Sequence, residues 1–399
     1  MKPNTNNQMN RQYYIDWLRI LLISSVFLYH AGMIFVKWNW HVKNDVLYGG
    51  LLAYLMAFLH SWRMPLLFLI SGAGTYYALR TVTPSGYIAE RTRRLFVPLA
   101  AGIFILVPVQ VYIEKIGSYD SLLSYYPHMF EGVYPSGNFS WHHLWFIAYL
   151  YVIALIISPF LNLFRSSKFG RLAGRLAGIL TRRLGMNLIL IPLLFSQVIL
   201  RNYFETETHA LYNDWASIAF YLIFFLAGFI FISRQEVANA LARHRKIYLA
   251  ETVFFTAVMF IVPRLTGSER TGEIIYDVSE IIVSWTCSVA AIGYARRYLN
   301  FDSSFRKSAN EAIYPFYLLH QPLLVLTGYI ITDLGMYDWL KALLIMASSF
   351  MLFILPYRYL IRPYNILRVI FGMKMTRRNM TTISLSINQE SLGQEAERA

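Results

Sequence analysis

The chain has 399 residues, of which 56% are hydrophobic, 17% aromatic and only 15% charged. A soluble domain of this size carries about 25% charged residues, and charge-free runs recur to about residue 370, so the composition excludes a soluble globular enzyme and indicates a polytopic helical membrane protein. The formal charge of +14 would suit a nucleic-acid binder in amount but not in distribution, and the single cysteine, Cys287, excludes an internal disulfide and a cysteine-based metal site.

The apolar runs divide the chain into ten expected spans, at 14–36, 48–79, 95–114, 143–164, 184–201, 215–233, 247–263, 274–295, 311–331 and 339–360. The first is too long for a signal-peptide core and has no small-residue cleavage site after it, so it is expected to remain as a helix. The loops between spans alternate in charge. One set holds Arg80, Arg91, Arg93, Arg94 and the basic stretches 165–183, 234–246 and 296–307; with both termini it carries 27 of the 36 Lys and Arg residues, against seven on the opposite side. The positive-inside rule then predicts an all-α, polytopic integral membrane bundle of about ten transmembrane helices with both termini cytoplasmic. Residues 1–13 are expected as a cytoplasmic segment, 14–370 as the transmembrane domain, and 371–399 as a disordered cytoplasmic tail. No internal repeat is visible, which disfavours an inverted-repeat transporter.

Ionisable residues inside these spans are the candidates for chemistry, because each costs roughly 2.5 kcal/mol or more unless it faces a partner or a polar cavity. In the first span Arg19 and His30 are eleven residues apart, just over three turns, so they share a face roughly 16 Å apart along the axis. Asp16 is three residues before Arg19 and is expected to pair with it. Taken alone, that pair reads as a topogenic ion pair at a helix mouth, and His30 as an interhelical hydrogen bond; the shared face favours a joint functional role. The second span carries His60 and Arg63 on one face, with Pro65 expected to end or kink the helix below them. A buried ion pair is the plainer reading of Arg63. Farther along, Ser71, Gly72, Ala73 and Gly74 indicate close helix packing rather than a phosphate loop.

Arg91, Arg93 and Arg94 then precede the third span. Anchoring by positive charge accounts for them, and bidentate docking of phosphates is the functional alternative. His143 and Trp145 open the fourth span on its outer side, where aromatic belts are common and where a sugar platform would also sit. Asp277 and Glu280 enter the eighth span three residues apart, Asp277 at a depth where it could meet His30. His320 lies near the middle of the ninth. A midplane histidine alone is more often structural; here it is one of several. No His-x-x-x-His pair occurs, so no metal site is expected, and no Gly-x-Ser-x-Gly elbow supports a serine hydrolase.

Arg19 and His30 with ten residues between them, the His60–Gly72 block, Arg91–Arg94, the stretch from His143 to Phe146, and the Tyr314–Pro322 block together resemble the membrane-bound acyltransferase family 3, from about residue 13 to 370. The resemblance implies a multi-pass O-acyltransferase of the bacterial inner membrane. It would transfer a succinyl or acetyl group from cytoplasmic acyl-CoA, a co-substrate rather than a bound cofactor, to a carbohydrate acceptor such as a glucan or envelope polysaccharide. His30 would be the general base, supported by Asp277 or Glu280. Arg19, His60, Arg63, Arg91, Arg93, Arg94 and His320 would bind the donor, and His143 and Trp145 the acceptor. The competing class is a membrane transporter of a glycan, sugar or anion, in which the same buried residues form a proton relay. A non-catalytic membrane subunit is the third.

Overall fold

The computed structural model describes residues 12–79, 82–134, 136–205 and 208–376. Within them the chain is helical and contains no strand, only two isolated bridges. Among the described residues eight helices are long and apolar enough to cross a membrane: α1 Tyr13–Met33, α2 Gly50–Leu79, α3 Pro84–Glu114, α4 His142–Arg165, then, after a short basic helix α5 (Ser167–Leu180) and an apolar one α6 (Leu190–Leu200), α7 Trp215–Ser233, α8 Gln235–Leu265 and α9 Glu269–Tyr298, and, after α10 (Ser304–Ile331), α11 Asp338–Ile361. In a medium without water every backbone group must be paired within its own segment, and long apolar helices achieve this.

Two of the ten expected spans differ from that set. The run 184–201 folds as a 3₁₀ turn, Gly185–Ile189, followed by α6, a shorter apolar stretch than the others. The run 311–331 lies in α10, which has 28 residues and is long enough to cross, but Tyr314, Pro315, Tyr317, His320, Gln321 and Pro322 make it less apolar than the eight. The third span starts eleven residues earlier than expected. Thr83 caps it by accepting from the Gly86 amide at 3.2 Å, with Pro84 preset at the first helical position. A π turn at Thr92–Phe96 then inserts one residue beside the arginines, and α3 breaks at Leu106, just before Pro108. Pro65, by contrast, does not end α2, which runs unbroken from Gly50 to Leu79. Neighbouring helices make an interior proline tolerable in a membrane bundle.

α1 is central, packing against α2, α9, α10 and α11, while α2 also packs along α7. The α2–α7 crossing is close because two glycines meet there. A Cβ on Gly72 would collide with the Phe225 carbonyl, and one on Gly228 with the Leu69 carbonyl. The expected Asp16–Arg19 pair is loose at 3.8 Å. Asp16 is held more closely by Arg306, which is fully buried at the start of α10 and also donates to Asp302 at 2.7 Å. This fastens the first turn of α1 to α10. Part of the stretch expected as tail is packed: Gly372 (φ 66°) lies against the Tyr314 ring and the Arg94 carbonyl, and Met373 is buried, while Lys374 and Met375 are exposed. The remainder of the expected tail, 377–399, the N-terminal residues 1–11 and Arg80 lie outside the described residues.

Candidate functional site

Three histidines from distant parts of the chain meet beside the C-terminal half of α1. His30 comes from α1, His320 from α10, and His143 from the 3₁₀ turn His142–Leu144 that opens α4. His30 Nδ1 and His320 Nε2 are 2.8 Å apart, with the rings stacked at 5.1 Å and 11°. The His143 ring stands edge-on to His320 at 5.2 Å. His143 Nε2 donates to the Leu318 carbonyl at 3.0 Å, and the Tyr317 hydroxyl donates to the His143 carbonyl. Trp40, from the loop after α1, stacks over His30 at 6.2 Å.

His30 and His143 line a cavity of about 460 Å³. Its walls include His60, Arg63, Trp145, Asp277 and Glu280, all singled out from the sequence. Arg63 is buried, its guanidinium carbon 3.3 Å from the centre of the Tyr29 ring, and the Tyr29 hydroxyl is 3.2 Å from His60 Nδ1. Trp145 packs on His209 at 4.3 Å and on Tyr221 at 5.6 Å, an aromatic wall of the kind that suits the apolar face of a sugar ring. Arg201, on the same wall, donates to Gln197 and Ser217 at 3.0 Å each and is 3.5 Å from fully buried Asp214. The acids are placed differently from expectation. Asp277 and Glu280 face the cavity, but the hydrogen-bond partner of His30 among the described residues is His320, because α10 packs against α1 at that level.

The residues expected to bind a donor divide into two groups. His60 and Arg63 line the cavity and His320 adjoins it through His30, whereas Arg19, Arg91 and Arg94 gather toward the other end of α1, within coulombic range of one another. There Arg19 donates to Asn310 at 3.3 Å, Arg91 donates to Thr75 at 3.3 Å and lies over the Tyr87 ring, and Arg94 pairs with Glu90 at 3.3 Å. Arg93 is exposed beside them.

The sequence reading missed Tyr29, Trp40, Arg201, His209 and Tyr221. It also missed a second cluster next to the cavity, in which His41 Nδ1 donates to Glu114 at 2.5 Å, Tyr134 donates to the other oxygen of Glu114 at 3.0 Å, and Gln321 lies 3.1 Å from His41 Nε2. Burial, and then the Glu114 charge, hold the Tyr134 phenol well above its usual range. The only signal for these residues was proximity in sequence: Tyr29 adjoins His30, and Trp40 and His41 follow within one loop. Among the described residues no group of three or more His, Cys, Asp or Glu side chains is arranged to hold a metal ion.

A family profile described as "Acyltransferase domain" matches residues 12–358. Curated proteins named "Glucans biosynthesis protein C" from Salmonella agona and from Salmonella enteritidis PT4 are each 23% identical over 335 residues, covering 81% of this chain and 84% of theirs. No solved structure matches.

Proposed function

Because the chain belongs to the acyltransferase family that this profile describes, we propose that it is a multi-pass O-acyltransferase of the bacterial inner membrane, moving a succinyl or acetyl group from cytoplasmic acyl-CoA to a hydroxyl of a glucan or related envelope polysaccharide. The relatives' names support the glucan acceptor. One observation carries the reading: α1 carries Arg19 at one end, where Arg91 and Arg94 of α3 gather beside it, and His30, in a polar cavity with an aromatic wall, toward the other.

Arg19, Arg91, Arg93 and Arg94 would hold the phosphates of CoA by charge-assisted contacts, and the flexible arm would carry the thioester along α1. His30 would take the proton of the attacking hydroxyl as its oxygen adds to the thioester carbonyl. Collapse of the adduct breaks the C–S bond, and the proton leaves on the thiolate as free CoA thiol. His60 and Arg63 would face the carbonyl oxygen as it gains charge. Asp277 and Glu280, which face the cavity without bonding His30, would accept hydrogen bonds from sugar hydroxyls beside Trp145 and His143.

Incubation of the purified protein with acyl-CoA and a glucan tests this. Free thiol should appear together with one acyl mass per modified glucan hydroxyl, and His30→Ala should abolish both while preserving the amount and dispersity of the protein. Intact acyl-CoA combined with glycan uptake into proteoliposomes would instead make the protein a transporter.

A further inference from the structure

The geometry points to His320 as the positioning residue that fixes which nitrogen of His30 meets the substrate. This rests on the proposal that His30 is the base. A backbone carbonyl can only accept a hydrogen bond. His320 Nδ1 lies 2.6 Å from the Tyr317 oxygen, so that nitrogen carries the hydrogen. A neutral imidazole protonated on Nδ1 has its lone pair on Nε2. That lone pair faces His30 Nδ1 at 2.8 Å, so His30 must carry its own hydrogen on Nδ1. The lone pair of His30 therefore sits on Nε2, the nitrogen with no hydrogen-bond partner among the described residues, on a ring that lines the cavity.

The arrangement does the work that a carboxylate does for histidine in a hydrolytic triad: it selects the tautomer, holds the ring, and accepts from the imidazolium that forms. Here the orienting group is neutral. When Nε2 of His30 takes the hydroxyl proton, Nδ1–H still donates to His320, and His320 still donates to Tyr317. The orienting group itself adds no charge beside His30 in the resting protein, where Arg63 is already buried in the same cavity, and this matters in a bundle where each further ion is costly. The backbone of α10 is in turn held in place by the Tyr317 hydroxyl, which bonds the His143 carbonyl.

Two substitutions separate this role from donor binding and from simple packing. His320→Phe keeps a ring but removes the acceptor; His320→Gln places an amide oxygen near the position of Nε2. The Phe variant should lose about 10²–10³ in kcat, the scale of general-base catalysis, with KM for acyl-CoA and for glucan changed by less than about threefold. The Gln variant should recover at least tenfold of that loss. A raised KM for acyl-CoA at unchanged kcat would make His320 a donor ligand and overturn the proposal, as would equal losses in the Phe and Gln variants. Nitrogen-15 NMR of histidine-labelled wild-type protein needs no variant to retain activity: the His30 signal, assigned by its absence in His30→Gln, should report a protonated Nδ1 and a bare Nε2. The opposite tautomer refutes the relay. If His30→Ala keeps full acyl transfer, the proposed function itself fails; if His30→Ala is inactive while His320→Phe keeps its kcat within twofold, only the relay fails.

Discussion

His143 donates from Nε2 to the Leu318 carbonyl at 3.0 Å, and Pro322 is the reason that oxygen is available. In a continuous helix the Leu318 carbonyl would receive the amide of the residue four places on. That residue is proline and has no N–H. A side chain from another helix fills the gap, which is how membrane helices tolerate interior prolines. The tautomer of His143 follows, with the hydrogen on Nε2 and the lone pair on a buried Nδ1 that has no hydrogen-bond partner among the described residues.

His143→Phe should accordingly destabilise the bundle by about 1–3 kcal/mol, the cost of stranding a buried acceptor. Adding Pro322→Ala restores an amide for Leu318 and should return part of that loss. Thermal unfolding of the four proteins in one detergent gives the cycle. Strictly additive effects would mean that the carbonyl bond does not couple the two positions.

Gly72 and Gly228 set the separation of α2 and α7, so alanine at either site pushes a methyl group into a backbone carbonyl that has no room to move. Each substitution should cost toward the upper end of the ~1–3 kcal/mol typical of overpacking. Gly74→Ala is the control on the same helix, because nothing lies within 4 Å of its added carbon. Equal melting shifts at Gly72 and Gly74 would remove the close crossing as the explanation.

Hydrophobic runs and charge alternation make the helices legible, and the eleven-residue spacing makes legible that Arg19 and His30 sit at two levels of α1, because these are properties of one segment at a time. The small residues at 71–74 likewise announced a close crossing, though not its partner. What stayed hidden depends on how separate helices are rotated against each other. Sequence position puts Asp277 at a plausible depth for His30, and it does face the same cavity; the azimuth of α10 brings His320 into hydrogen-bond range instead. The i, i+3 spacing predicts the Asp16–Arg19 pair, which is present at 3.8 Å, but it cannot show that Arg306 reaches Asp16 more closely from 290 residues away. The π turn at Thr92–Phe96 leaves no periodic mark, and the packing of Gly372 on Tyr314 needs the third dimension.

Arg91→Ala and Arg94→Ala should each raise KM for acyl-CoA about tenfold, in keeping with loss of one charged hydrogen bond of about 1.5 kcal/mol, with KM for the glucan unchanged. Arg93→Ala should do less, since Arg93 is exposed and screened by solvent. Steady-state kinetics with both substrates varied decides the matter. A selective rise in the glucan KM would place the arginines at the acceptor end and reverse the proposed pathway.

The direction of that pathway depends on orientation, for which the charge count is a strong argument: seven Lys and Arg residues in one set of loops against 27 in the other, in loops this short. Ser118 follows the C-terminal end of α3, opposite the arginines at its start, and Ser167 opens the basic helix α5; both side chains are exposed. In a variant whose Cys287 is replaced by serine, Ser118→Cys should react with a membrane-impermeant maleimide in cells with a permeabilised outer membrane. Ser167→Cys should react only after lysis. The reverse pattern would put the His30 cavity in the cytoplasmic half of the membrane. Donor and acceptor would then meet on the same side, and the need for a thioester carried along α1 would disappear. The histidine relay would survive such a reversal, because it depends on contacts within the bundle; the transmembrane route for the acyl group would not.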